Sequence, residues 1–431
     1  MSVTANILVI SDEPADRIRN CFKNENVALT KTGLFDVSAI KEDLSDFDLT
    51  IISSSSTDLK TVDELLDYML ENDFPLLIVG NNHRSSEIQS VPFSFCDLEL
   101  KTRAFSLIRL QTMKQEFKRR RDTTSQYGFT EDDFNEPSPE EAKKSILLVG
   151  NHSTVVGDIM LHLNRQAKVR LCPTPDIVVE ELRSGVFDAA VFLGAGQGDV
   201  HFRLCMDIRG DSRLYNLPIV FVLENKNNRE ASYIHGASDI VMYPEELASL
   251  FARTNLLIDQ SNYRFSMQKL FKSSRPLPVT DGLTGLYSHG FVQAHMKQMI
   301  EDHQKLGKHL SVAAVTLSNL NTINAEHGYP AGDQILRQMG NILGFLIRGE
   351  DFAGRYSSNC FLIALPGTSR KDAFIALSRV YGVTRNTQFA VAAIADPVLA
   401  DINLGLTELQ DNDNLNELFE RAITSPFNME C

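Results

Sequence analysis

Short, continuous apolar runs recur along the first two thirds of the chain, and the series repeats once. ILVISDEP (7–14) is answered by ILLVGNHS (146–153), FDLTIIS (47–53) by FDAAVFL (187–193), and PLLIVG (75–80) by PIVFVL (218–223). Amphipathic stretches of helix length, such as TVDELLDYMLEN (61–72), separate them. Unbroken apolar strands between helices are the pattern of parallel strands buried on both faces of a sheet. The repeat predicts two copies of one doubly wound α/β domain, at 1–115 and 144–262, joined by a linker at 116–143.

After a second connector at 263–279 the pattern changes. Residues 280–431 mix apolar strands (LSVAAVTL, FLIALPG, FAVAAIADP) with helices rich in Leu, Met and Ala, which predicts a third, α+β domain. The first linker begins with the basic block KQEFKRRR and continues into an acidic, Pro-containing stretch; it reads as a solvated helix end running into flexible chain.

Composition narrows the function classes. A net charge of −14 disfavours nucleic acid and anionic membranes as partners, and the apolar runs are of strand length, short of the roughly 20 residues a membrane span needs. No signal peptide is read at the start, so a cytoplasmic protein is expected. Cys21, Cys96, Cys172, Cys205, Cys360 and Cys431 lack metal-ligand spacing, which predicts reduced thiols and no metal site.

Three stretches of the last domain, DGLTGLYSHGF (281–291), NTINAEHGYPAGDQIL (321–336) and IRGEDFAGRYSSNCFLIALPGT (347–368), resemble in order and spacing the GGDEF family, the diguanylate cyclase fold. The two N-terminal modules resemble response-regulator receiver domains, which are flavodoxin-like (CheY-like) folds. Together they give a receiver–receiver–GGDEF arrangement over nearly the whole chain.

Set against that resemblance, the catalytic chemistry is missing. A receiver needs an Asp ending its third strand to accept phosphate and acids at the first strand's end to hold Mg²⁺. The acceptor positions here are Ser53 and Leu193, and the acid clusters are reduced to Ser11 with Asp12 and to Gly150 with Asn151. Lys101 matches the family's phosphate-pairing Lys; it and Asp12 read as a leftover ion pair. GAGQG (194–198) imitates a phosphate loop only weakly. In the third domain the family's metal-holding positions fall on Thr316 and Ser318 of a strand and on the hairpin Ser357, Ser358, Asn359, Cys360 and Phe361, and its phosphate-binding Lys positions on Asn321 and Ala422. Neutral hydroxyl, amide and thiol groups are poor ligands for hard dications, so neither an enzyme nor a catalytic Mg²⁺ is expected.

Other positions keep the family's residue types. Asn324 and Asp333 match its guanine-reading pair. Arg348 and Asp351 match the RxxD of its inhibitory site, nine and six residues ahead of Ser357, and Arg379 its second arginine. A guanidinium fork can grip guanine O6 and N7 or a phosphate, and a carboxylate can accept from guanine N1 and N2.

The resemblance thus implies a non-catalytic effector that binds cyclic di-GMP at Arg348, Asp351 and Arg379 and relays its state to protein partners. It further implies a homodimer and a role in bacterial cell-cycle control or regulated proteolysis, at a cell pole if it extends that far. A ligand-free scaffold and a residual diguanylate cyclase stay open as alternatives.

Overall fold

Each N-terminal module opens on a strand stapled by the carboxylate of the residue just before its third strand. The Asp48 carboxylate accepts the Asn6 N–H at 2.9 Å, and the Asp188 carboxylate accepts the Ser145 N–H at 2.7 Å. In return the N–H groups of Asp48 and Asp188 donate to the carbonyls of Asn6 and Ser145, both at 2.8 Å. The repeated Phe-Asp pair therefore fixes the same register twice, Ile7 opposite Leu49 and Ile146 opposite Ala189. The computed structural model describes residues 4–11, 15–33, 44–53, 59–80, 88–128, 143–151, 153–194, 198–211, 213–273, 279–392 and 396–427.

The first sheet comprises β1 (Ala5–Ile10), β2 (Val27–Thr32), β3 (Leu49–Ser53), β4 (Leu76–Val79) and β5 (Gln89–Val91), in the order β2-β1-β3-β4-β5. The second comprises β6 (Ser145–Val149), β7 (Lys168–Cys172), β8 (Ala189–Leu193), β9 (Ile219–Leu223) and β10 (Asp239–Met242), in the order β7-β6-β8-β9-β10. Both follow the 2-1-3-4-5 order of flavodoxin-like doubly wound sheets. Their central strands are buried on both faces, as the unbroken apolar runs demand. Helices α1 (Asp16–Cys21) and α2 (Leu59–Glu71) belong to the first module, in which α3 (Asp97–Ser125) begins. In the second, α4 (Ser153–Leu163), α5 (Val178–Ser184), α6 (Gly198–Gly210) and α7 (Arg229–Ile234) intervene between strands, and α8 (Leu250–Ser273) follows.

Where the sequence placed linkers, the chain continues as helix. α3 runs unbroken to Ser125 and α8 to Ser273, while 129–142 and 274–278 lie outside the described residues. The chain packs into two compact units. One compact unit is Asn6–Gln111 with Pro137–Phe265; the other is Met1–Ala5, Thr112–Glu136 and Ser266–Cys431. In the first unit the two modules share a buried charge cluster, in which Arg103 of α3 pairs with Asp239 of β10, and Arg229 meets Glu99 at 3.0 Å. The second half of α3 belongs with the C-terminal domain.

That C-terminal domain holds an antiparallel sheet of β11 (Leu310–Leu317), β12 (Phe352–Arg355), β13 (Cys360–Pro366) and β16 (Ile402–Glu408), in the order β12-β13-β11-β16. Helices α9 (His289–Leu306), α10 (Leu320–His327), α11 (Tyr329–Leu346), α12 (Arg370–Asn386) and α13 (Leu415–Thr424) cover it. One predicted strand is corrected. The described residues of FAVAAIADP (389–392 and 396–397) are not in the four-stranded sheet; Phe389 belongs to β14 (Gln388–Phe389), which pairs with β15 (Val398–Leu399). The fourth strand of the sheet is INLGLTE, where Gly405 lets the strand pass under α13: a Cβ there would lie 1.9 Å from the Ala422 carbonyl oxygen.

Candidate functional site

The segment between α11 and β12 is a turn closed on itself. The Asp351 carboxylate accepts the Arg348 N–H at 2.9 Å, and the Arg348 carbonyl accepts the Asp351 N–H at 3.3 Å. The i, i+3 relation is thus a side-chain-to-backbone lock rather than an ion pair, a usual way for Asp to fix a turn. Asp351 is 5% exposed, whereas Arg348 is exposed and its guanidinium has no ion pair among the described residues. Arg379 stands on α12, likewise exposed and without an ion pair among the described residues. α11 and α12 are neighbours in one core through Leu343, Leu377 and Val380, so both arginines rise from elements anchored in the same packing.

The β12–β13 hairpin is built by backbone and neutral side chains. Thr316 lies opposite Cys360 in the β11–β13 register, its hydroxyl 3.1 Å from the thiol sulfur. Burial pushes the Cys360 thiol up, so the sulfur stays protonated. Asn359 exchanges bonds with Leu317, receiving the Leu317 N–H at 2.9 Å and donating its amide to the Leu317 carbonyl at 3.1 Å. Ser357 and Ser358 are exposed at the tip. Sequence reasoning missed the staple behind the tip: Arg355 donates to the Ser358 carbonyl at 3.0 Å and to both Asp281 carboxylate oxygens at 3.3 Å. Asp281 in turn takes the Thr284 N–H at 2.9 Å and hydroxyl at 2.7 Å. Burial raises the Asp281 carboxyl, but these donors outweigh it and hold the group below its usual range.

Asn324 lies on α10 and Asp333 on α11, helices separated by the short break at Gly328. The Asn324 carbonyl oxygen is buried with no hydrogen-bond partner among the described residues, and it fills the space a Cβ on Gly332 would need, 2.1 Å away. Asp333 is exposed. The Asn324 oxygen is turned into the contact with Gly332, whereas Asp333 presents its carboxylate at the surface. Asn321 is exposed on α10, while Ala422 is fully buried, its carbonyl against Gly405 of β16.

Among the described residues no cluster of three or more His, Cys, Asp or Glu could hold a metal ion. In the first module Ser53 ends β3, and Lys101 pairs with Glu25 at 2.7 Å; Asp12, its expected partner, lies outside the described residues, as do 195–197 of the glycine loop. In the second module Leu193 is 3% exposed and covers Gly150, whose Cβ would meet it at 2.8 Å, so hydrocarbon fills the crevice at the strand ends.

Sequence reasoning also missed a buried cluster where α3 meets the C-terminal domain. Its charged block, read as solvated, is instead packed: Glu116 is 0% and Arg120 6% exposed. Glu116 receives Arg120 Nε at 2.7 Å, Arg119 Nη1 at 2.5 Å and His295 Nε2 at 2.9 Å. Arg119 also reaches Asp302 at 2.9 Å, and the Thr123 hydroxyl lies 3.1 Å from His295 Nδ1. Arg120 donates its Nη2 to the Asp351 carbonyl at 2.8 Å, under the Tyr287 and Phe352 rings. Burial pushes the Glu116 carboxyl up, but His295, Arg120 and Arg119 more than reverse it and keep it ionised; burial pushes His295 down, keeping it neutral. The i, i+4 spacing of Glu116 and Arg120 was the one available signal.

Residues 279–425 match the family model described as Diguanylate cyclase, GGDEF domain. The response regulator PleD of Caulobacter vibrioides is 23% identical over 241 residues, covering 55% of this chain and 53% of that protein. Diguanylate cyclase DgcP of Pseudomonas aeruginosa is 26% identical over 174 residues, 39% of this chain and 26% of that protein. The chain thus spans about half the length of PleD and about a quarter of DgcP. Among solved structures, the GGDEF domain of DgcB from Caulobacter crescentus in complex with c-di-GMP has a TM-score of 0.33 at 19% identity, covering 34% of this chain and 85% of that one. The FimX GGDEF domain from Pseudomonas aeruginosa gives 0.32 at 21%, covering 33% and 88%. These matches overturn one expectation: the family model and the cyclase relatives point to an enzyme, contrary to the reading that the chain is not one. No helix among the described residues is long and apolar enough to cross a membrane.

Proposed function

We propose that the chain acts in cyclic di-GMP signalling and that its C-terminal domain binds the dinucleotide at the turn Arg348–Asp351, with Arg379 as the second cation. The observation carrying this reading is the state of the two arginines: both guanidinium groups are exposed and without an ion pair among the described residues, on elements anchored in one core. Asp351, closed onto the Arg348 N–H, serves by shaping the turn from which Arg348 projects. Two guanidinium forks suit a ligand with two guanines and two phosphates.

In this proposal the two α/β modules are receiver-like units that offer docking surfaces, the whole chain works as a homodimer, and the bound state is passed to protein partners. Ligand that binds one arrangement better stabilises it by mass action. The test is calorimetric titration with cyclic di-GMP of wild type, Arg348→Ala and Arg379→Ala. Wild type is expected to bind, with each substitution weakening the affinity; undiminished affinity in Arg348→Ala removes the assigned site.

A second reading, that the domain makes the dinucleotide from GTP, is favoured by the family match at 279–425. Asn324 and Asp333 would hold the guanine in that reaction. Incubation with GTP and Mg²⁺ or Mn²⁺, followed by chromatography, tests it: a cyclic di-GMP peak supports synthesis, and unchanged GTP counts against it.

A further inference from the structure

Resting on the proposed ligand turn, we infer that Arg120 is a positioning residue of that site, so that the turn is held by a helix which starts in the first α/β module. The chain of contacts is short. The Asp351 carboxylate closes the turn onto Arg348, and the Asp351 carbonyl points back to Arg120 Nη2 at 2.8 Å. Arg120 cannot drift, because its Nε is bound to Glu116 at 2.7 Å and its plane lies over the Tyr287 and Phe352 rings. Glu116 is fixed in turn by Arg119 and by His295 of α9.

Arg120 is 6% exposed and faces inward, so it acts through the backbone of Asp351 and not by touching ligand. One guanidinium thus bridges a carboxylate on its own helix and a carbonyl of the turn. A fixed fork of donors does this and a single ammonium does not. Since Thr112–Ser125 is the continuation of the helix that begins at Asp97, docking of this segment and order in the turn are coupled. Ligand that favours the ordered turn must then favour the docked helix by the same factor.

The experiment uses the full chain with Arg120→Lys, which keeps a cation beside Glu116 but cannot reach the Asp351 carbonyl as well, and with Arg120→Gln. Asp302→Asn is the control; it removes only the rim contact of Arg119. Hydrogen exchange is followed without ligand at the Arg348 and Asp351 amides, both hydrogen-bonded inside the turn. Each Arg120 variant should exchange there about tenfold faster than wild type, while Asp302→Asn should not. By calorimetry, both Arg120 variants should bind cyclic di-GMP about tenfold more weakly.

Exchange at those amides equal to wild type in Arg120→Lys overturns the inference, whatever happens to binding. If Arg348→Ala loses the ligand while both Arg120 variants keep wild-type affinity, the positioning role fails and the ligand site stands. If Arg348→Ala binds as wild type does, the ligand site fails, and the exchange data still decide the role of Arg120.

Discussion

Replacing Glu116 by Gln should be among the most damaging conservative substitutions in the C-terminal unit. The Glu116 side chain is 0% exposed and answers Arg119, at 10%, and Arg120, at 7%. Asp302 still faces Arg119 when Glu116 becomes neutral, whereas Arg120 loses the carboxylate that holds its Nε, its remaining contacts including the Asp351 carbonyl and the Tyr287 and Phe352 rings. Removing one member of a buried charge pair costs about 3–5 kcal/mol, because the other is left desolvated and uncompensated. The assay is equilibrium urea unfolding, with exchange of the Thr112–Ser125 amides locating the loss. A cycle with Arg120→Met completes the test: the double variant should recover part of the loss, since the stranded cation is gone, with a coupling of about 1–3 kcal/mol. Glu116→Gln within about 0.5 kcal/mol of wild type would refute the reasoning, for it would mean that water reaches Arg120 and the cluster is not buried.

Two further outcomes follow from the same unit. His295 and His303 are both pushed down by burial, His303 to about 3, so each binds a proton more readily in the unfolded chain. A depressed imidazole removes stability as the pH falls below its unfolded value of about 6.5, and Glu116, held ionised, acts in the same direction at lower pH. Unfolding free energy measured from pH 7 to pH 4 should therefore fall steadily, and His303→Gln should flatten the slope; a pH-independent curve contradicts this. Gly405→Ala should destabilise by about 3 kcal/mol, because its Cβ would sit 1.9 Å from a backbone oxygen that cannot swing away; a melting temperature equal to wild type would contradict that packing.

The parts of the fold legible in the sequence were those set by local pattern. Runs such as ILLV and FDAAVFL became buried parallel strands because nothing but burial on both faces accommodates them, and the duplication extends to the Asp48 and Asp188 staples. What the sequence hid was decided by distant partners. KQEFKRRR looks like a solvated helix end until His295, nearly 180 residues later, and the Asp351 carbonyl meet it. FAVAAIADP is more apolar than INLGLTE, yet INLGLTE supplies the fourth strand of the sheet, because Gly405 lets it fit beneath α13. At the candidate site the residue types were legible and their local bonding partners were not. Arg348 is exposed with no ion pair among the described residues, while the carboxylate of Asp351 is turned to the backbone. The Arg355–Asp281 staple joins residues 74 positions apart, a separation that no local spacing rule reveals.

The most direct test of the account is calorimetric titration of the purified chain with cyclic di-GMP, run side by side with Arg348→Ala. The account predicts saturable binding that the substitution reduces at least tenfold, the loss of one bidentate charged contact. No heat of binding in the wild type, or identical isotherms for the two proteins, contradicts it.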